Sequence, residues 1–105
     1  MTTKVFDPDS NTYQVTFTLP AEAHAETACL CADFNTWDKT AHPMEKQKDG
    51  SFKLVVKLNA GLRYHFRYFL DGEHWENDWK ADAYVPNEFG SEDSVLDLEA
   101  APSEN

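Results

Sequence analysis

The chain has 105 residues, 41% of them hydrophobic, and carries a formal net charge of −10, the size of one globular domain with one modest core. Two domains do not fit. The excess of acid argues against partners held by their phosphates, because nucleic acids and anionic membranes recruit clusters of Lys and Arg, and a neutral ligand is easier to reconcile.

The first residues, MTTKVFDPDS, offer neither a basic start nor an apolar run, and no later segment approaches the roughly 20 apolar residues that cross a bilayer. The expectation is a soluble, cytoplasmic protein without a membrane partner. Residues 1–11 read as a flexible N-terminal segment, 12–99 as the domain, and 100–105 as a disordered polar tail. From Asp82 onward the chain holds seven Asp and Glu and no Lys or Arg, which reads as a solvated acidic end.

Alternation of apolar and polar residues, the mark of a half-buried strand, recurs along the chain. Tyr13, Val15, Phe17 and Leu19 alternate with polar residues until Pro20 stops the strand. Ala28, Leu30 and Ala32 line one face of a second strand that leads into Asp33-Phe34-Asn35. Cys29 and Cys31 share the other face, too close in sequence for an unstrained bridge, so no disulfide is expected. Asp49-Gly50 opens a third strand in which Phe52, Leu54, Val56 and Leu58 alternate with Lys53, Val55 and Lys57. Asn59-Ala60-Gly61 supplies the next turn, and a hairpin is expected there.

The fourth strand places Tyr64, Phe66, Tyr68 and Leu70 on one face and His65, Arg67 and Phe69 on the other, ending at Asp71-Gly72. Arg67 thus points away from the core. A last short strand is expected over Ser94 to Leu98. Short strands separated by turn residues, with no segment that reads as a long helix, indicate an all-β fold, an immunoglobulin-like antiparallel β-sandwich.

Trp37 follows a strand in the turn-rich stretch Asp33-Phe34-Asn35-Thr36-Trp37-Asp38, where it either caps the sandwich or stands out as a stacking plane. Trp75 and Trp79 lie in Glu73-His74-Trp75-Glu76-Asn77-Asp78-Trp79, too polar for a continuous buried face. A sugar ring has an apolar face of C–H bonds and an equator of hydroxyls, so a glucan site needs aromatic planes and directional polar groups. Trp37, Trp75, Arg67 and Asn35 supply that mixture.

Cys29 to Trp37, together with Tyr68-Phe69-Leu70-Asp71-Gly72 followed closely by Trp75, resembles the family-48 carbohydrate-binding modules. These include the glycogen-binding domain of the AMP-activated protein kinase β subunit and the N-terminal early-set domain of isoamylases and branching enzymes. The resemblance runs from about Tyr13 to Leu98. It is nearest to small stand-alone bacterial proteins of the isoamylase early-set type, which share the pattern seen here from Trp75 to Asn87. It implies a non-catalytic module that binds an α-glucan such as glycogen or starch, with Trp37 and Trp75 as the stacking pair and Arg67 in place of the family's lysine. It further implies that Phe89, Ser91 and Asp93 stand where the family has a Leu, a Thr and an Asn that complete the site. Asp93 departs from that pattern, since a carboxylate only accepts hydrogen bonds. Trp79 stands where the kinase-type domain has a proline, and offers either a third stacking plane or a core plug, the plug being the favoured reading.

Catalysis would call on Glu73, Glu76, Asp78 and Asp82 as an acid/base pair, but these belong to one acidic loop. No enzyme activity is expected. The four histidines (His24, His42, His65, His74) show no spacing of a zinc site, and neither metal nor cofactor is expected. The alternative to glucan binding is a protein-interaction or regulatory module associated with glycogen- or starch-metabolising enzymes, with the exposed aromatics as anchors.

Overall fold

The computed structural model describes residues 2–87 and 90–99. Among these residues nine strands, all antiparallel, form an immunoglobulin-like sandwich of two sheets: β1 (Thr2–Asp7), β2 (Thr12–Leu19), β3 (Ala28–Ala32), β4 (Glu45–Lys46), β5 (Phe52–Asn59), β6 (Arg63–Leu70), β7 (His74–Glu76), β8 (Ala83–Pro86) and β9 (Glu92–Asp97). One sheet has the order β1-β2-β5-β4; the other has β3-β6-β9-β8, with β7 also paired to β6. Among the described residues no helix is long and apolar enough to cross a membrane.

The alternating residues bury as their periodicity demands. Val15, Phe17 and Leu19 of β2 face Leu30 of β3 and Phe66, Tyr68 and Leu70 of β6, and all are nearly or fully buried. Phe17 meets Phe66 edge-on at 5.2 Å between ring centroids, a favoured aromatic geometry.

Two expectations need correction. Residues 2–7 are not a flexible segment but strand β1, in register with β2 from Thr2↔Phe17 to Asp7↔Thr12. Lys4 also reaches the other sheet, its Nζ 2.6 Å from Asp82 Oδ2 and 3.2 Å from the Asp97 carbonyl. The hairpin at Asn59-Ala60-Gly61 does not form: β5 lies in one sheet, while β3 and β6 lie in the other. This turn is a crossover between layers, tied down where Gly61 N–H donates to Leu98 O at 2.7 Å. The expected tail over 100–105 falls outside the described residues.

Strand β6 organises the site. Its residues 66–70 pair with β3 on one side. On the other side β9 pairs with Arg63 to Phe66 and β7 with Tyr68 to Leu70. Arg67 therefore sits where one edge changes partner.

Candidate functional site

Residues paired across an antiparallel ladder project to the same face. Register places Cys31 beside Arg67 and Cys29 beside Phe69, Trp75 beside Phe69, His65 beside Val95 and Asp93 beside Val85. The outward face of this sheet thus gathers both thiols, three alternate residues of β6, one tryptophan and one carboxylate. A second tryptophan, Trp37, arrives over it on the loop after β3.

That loop is strongly determined. Asp33–Asn35 forms a short 3₁₀ turn, after which Thr36 and Trp37 both adopt left-handed backbone, with φ of 55° and 59°. Neither is glycine, so each conformation costs on the order of 1 kcal/mol and persists only where the surroundings enforce it. Here they do. Trp37 N–H donates to Ala32 O at 2.8 Å, and His65 N–H on β6 donates to Asp33 Oδ2 at 3.0 Å. Asn35 Oδ1 accepts from Ala32 N–H at 3.0 Å, and its Nδ2 donates to Leu30 O at 3.0 Å and to His42 Nδ1 at 2.9 Å. Accepting that bond leaves the proton of His42 on Nε2. Cys31 lies buried beneath the loop, its S–H 3.5 Å from Asp38 O. Burial, then the neighbouring Cys29, pushes the Cys31 thiol up to about 11, so it remains a neutral packing group.

Trp75 is fixed by a second apparatus. Its ring lies 4.7 Å from that of Phe69, tilted by 50°, and the Arg67 guanidinium stands 5.5 Å from its centroid. After β7 the chain is pinned by a buried polar network centred on Asp78, 1% exposed. Asp78 Oδ2 accepts from Tyr68 O–H at 3.0 Å and Oδ1 from Lys80 N–H at 2.9 Å. Its own N–H donates to Ser94 Oγ, which in turn donates to Asn77 Oδ1, both at 2.9 Å. A buried carboxylate with this many donors is structural, since its desolvation is offset at each oxygen. Burial, and then the Asp78 charge, drives the Tyr68 phenol well above its ordinary range.

A concavity of about 570 Å³ is lined by both of these tryptophans, Trp37 and Trp75, together with His65, Arg67, Pro86, Asn87 and Asp93. Both tryptophans are half-buried. Asp93, 9% exposed, accepts from Asn87 Nδ2 at 3.0 Å and faces His65 Nδ1 at 3.4 Å. Among the described residues, Arg67 Nε is buried without a hydrogen-bond partner. The arrangement offers flat apolar surface beside a cation, an imidazole, an amide and a carboxylate.

Of the residues singled out from sequence, Trp37, Arg67, Trp75 and Asp93 line this concavity. Asn35 does not, because its carboxamide is spent on the loop that holds Trp37. Ser91 is exposed in the β8–β9 turn, its N–H donating to Asn87 Oδ1 at 3.2 Å, and is not part of the lining; Phe89 falls outside the described residues. Trp79 is not a plug: it is 49% exposed, and its indole N–H donates to Glu76 Oε2 at 2.7 Å. Register places Glu76 beside Tyr68, on the opposite face from Trp75, so Trp79 is anchored there, apart from the concavity. His65, Pro86 and Asn87 were missed as lining residues, although the phase of β6 puts His65 on the face of Arg67. Of the four carboxylates that a glycosidase reading calls on, three are engaged otherwise, Glu76 by Trp79, Asp78 by its network and Asp82 by Lys4, while Glu73 is exposed in the turn before β7. Among the described residues no group of three or more His, Cys, Asp or Glu is placed to hold a metal ion.

Residues 5–85 match the family model described as carbohydrate-binding module 48 (isoamylase N-terminal domain). Over 63 residues the chain is 38% identical to the 1,4-alpha-glucan branching enzyme GlgB of Aquifex aeolicus (strain VF5), a stretch covering 59% of this chain and 10% of that enzyme. The match thus spans about a tenth of the length of this curated relative.

Proposed function

The chain belongs to carbohydrate-binding module family 48, the isoamylase N-terminal domain, and from that premise we propose that the outer face of the β3-β6-β9-β8 sheet binds an α-glucan without acting on it chemically. The observation that carries this reading is the concavity lined by Trp37 and Trp75 together with Arg67, His65, Asn87 and Asp93. The indole faces take the C–H faces of successive glucose rings. Arg67 donates to ring hydroxyls, and Asp93 accepts from one.

The ligand is a neutral polymer of the glycogen or starch type, consistent with a chain whose net charge of −10 repels anions. Affinity is weak, because an open platform gains little beyond stacking and a few hydrogen bonds. Residence in the cytoplasm is part of the same reading and accords with the free thiols of Cys29 and Cys31.

Electrophoresis through gels containing glycogen, starch or cyclodextrin tests the proposal. The protein is expected to be retarded, and Trp37→Ala and Trp75→Ala each to abolish most of the retardation while still unfolding cooperatively. Unchanged mobility of the wild type in all three gels overturns glucan binding. It would leave the second reading, docking onto a glucan-metabolising enzyme, which is favoured by Trp79 and Tyr84, 49% and 41% exposed outside the concavity.

A further inference from the structure

The two proposed stacking planes come from different elements. Trp37 rides on the loop after β3, and Trp75 on β7, which shares only three register pairs with β6. Among the described residues no backbone ladder joins that loop directly to β7, so side chains between the two elements bear on the distance between the planes.

Lys39, two residues beyond Trp37, makes that connection. Its Nζ lies 4.9 Å from the centroid of Phe69 and 5.7 Å from that of Trp75. Both distances fall within the range of cation–π attraction. In a chain with 19 Asp and Glu against 9 Lys and Arg, this exposed lysine forms no ion pair among the described residues. Its charge is committed to two ring faces instead. On the far side of Trp37 the loop is tied to β3 first by a weak thiol contact, Cys31 to Asp38, and then by Leu30 N–H donating to His42 O at 2.9 Å and Met44 N–H donating to Ala28 O at 2.8 Å. Nearer its root, Asn35 and Trp37 anchor it to β3. These ties run to β3, and Asp33 and Phe34 add contacts to His65 and Tyr64 of β6; Lys39 adds a direct contact from the loop to the Phe69–Trp75 pair.

We infer that Lys39 is a positioning residue, a cation that clamps the Trp37 loop onto the Phe69–Trp75 pair and so sets the spacing of the two planes. The inference rests on the glucan reading for its consequence in binding, but not for the clamp itself. Lys39→Met keeps the length and apolar stem of the side chain and removes the charge; Lys39→Arg keeps the charge. In the ligand-free protein, Lys39→Met is expected to move the indole N–H cross-peak of Trp37, assigned through Trp37→Phe, whereas Lys39→Arg leaves it near its wild-type position.

Maltoheptaose binding is expected to weaken about threefold to tenfold in Lys39→Met and to be retained in Lys39→Arg. A Trp37 cross-peak that stays in place in Lys39→Met overturns the clamp. Weakened binding without that movement overturns it too, by making Lys39 a direct ligand contact. If the wild type fails to bind maltoheptaose, the glucan reading falls, while the ligand-free spectrum still decides the clamp.

Discussion

Strands β5 and β6 each turn one row of side chains toward the partner sheet and one row outward, yet their outward rows meet different surroundings. On β5, Lys53, Val55 and Lys57 are exposed; on β6, His65, Arg67 and Phe69 are half-buried. The difference comes from what lies above each row. On the β6 row Trp75 of β7 packs on Phe69 and Arg67 and Trp37 lines the same concavity, whereas the β5 row stays exposed beside Pro43, Glu45 and Gln47. A strand's outward face becomes a site when a loop and an edge strand wall it in, and stays a solvated surface when they do not.

The largest expected effect of this contrast is on stability. Phe69→Ala removes a ring packed against Trp75 and Lys39 and should cost about 1–3 kcal/mol. Val55→Ala on the open row should stay within about 0.5 kcal/mol of wild type. Urea midpoints measure both, and equal losses would mean that the two outer faces do not differ in packing.

A smaller effect is expected on binding. Arg67→Lys keeps a positive donor but loses the planar fork beside Trp75, and should weaken retardation in a glycogen gel by roughly twofold to fivefold. Lys57→Arg, the matching exchange on β5, should change nothing. Complete loss in Arg67→Lys would instead indicate two parallel bonds from the guanidinium to one acceptor pair.

The smallest effect concerns the turn between β6 and β7. Asp71 Oδ1 accepts from Glu26 N–H at 2.7 Å and from Thr27 N–H at 3.0 Å. The Thr27 and then the Glu26 backbone bonds hold its carboxyl below the usual range. Asp38 and Asp49 are lowered similarly, by bonds from Thr40 and Ser51. A carboxyl lowered in the folded state contributes stability fully above its unfolded value, near 3.9, and loses it as pH falls through the folded one. Stability should therefore decline below about pH 4, and Asp71→Asn should make that decline shallower. Parallel urea midpoints for wild type and Asp71→Asn from about pH 5 to about pH 2.5 would remove Asp71 from this account.

Much of the sandwich was legible because β2, β5 and β6 are long enough for a period of two to register. Strand β1 was not, since Thr2 to Asp7 has no clean alternation and acquires its strand character by pairing with β2. Strand β8, four residues ending at Pro86, escaped notice for a related reason; it is an edge strand, where a proline is tolerated. The turn at Asn59 to Gly61 has the composition of a hairpin whether it joins neighbours in one sheet or crosses between two.

At the site, the phase of β6 alone put Arg67 outward, and resemblance pointed to Trp37 and Trp75. The roles of Asn35 and Trp79 were not legible: a carboxamide looks the same whether it faces a ligand or staples a loop, and a tryptophan in a polar segment can face either way. The sequence by itself determined the class of fold and the two faces of each long strand, because these follow from local periodicity and the need to bury apolar side chains. Only the tertiary structure decided which outward face is walled in, which polar groups are already engaged, and that Lys39 spans the two tryptophan-bearing elements, because each of these depends on contacts between residues far apart in the chain.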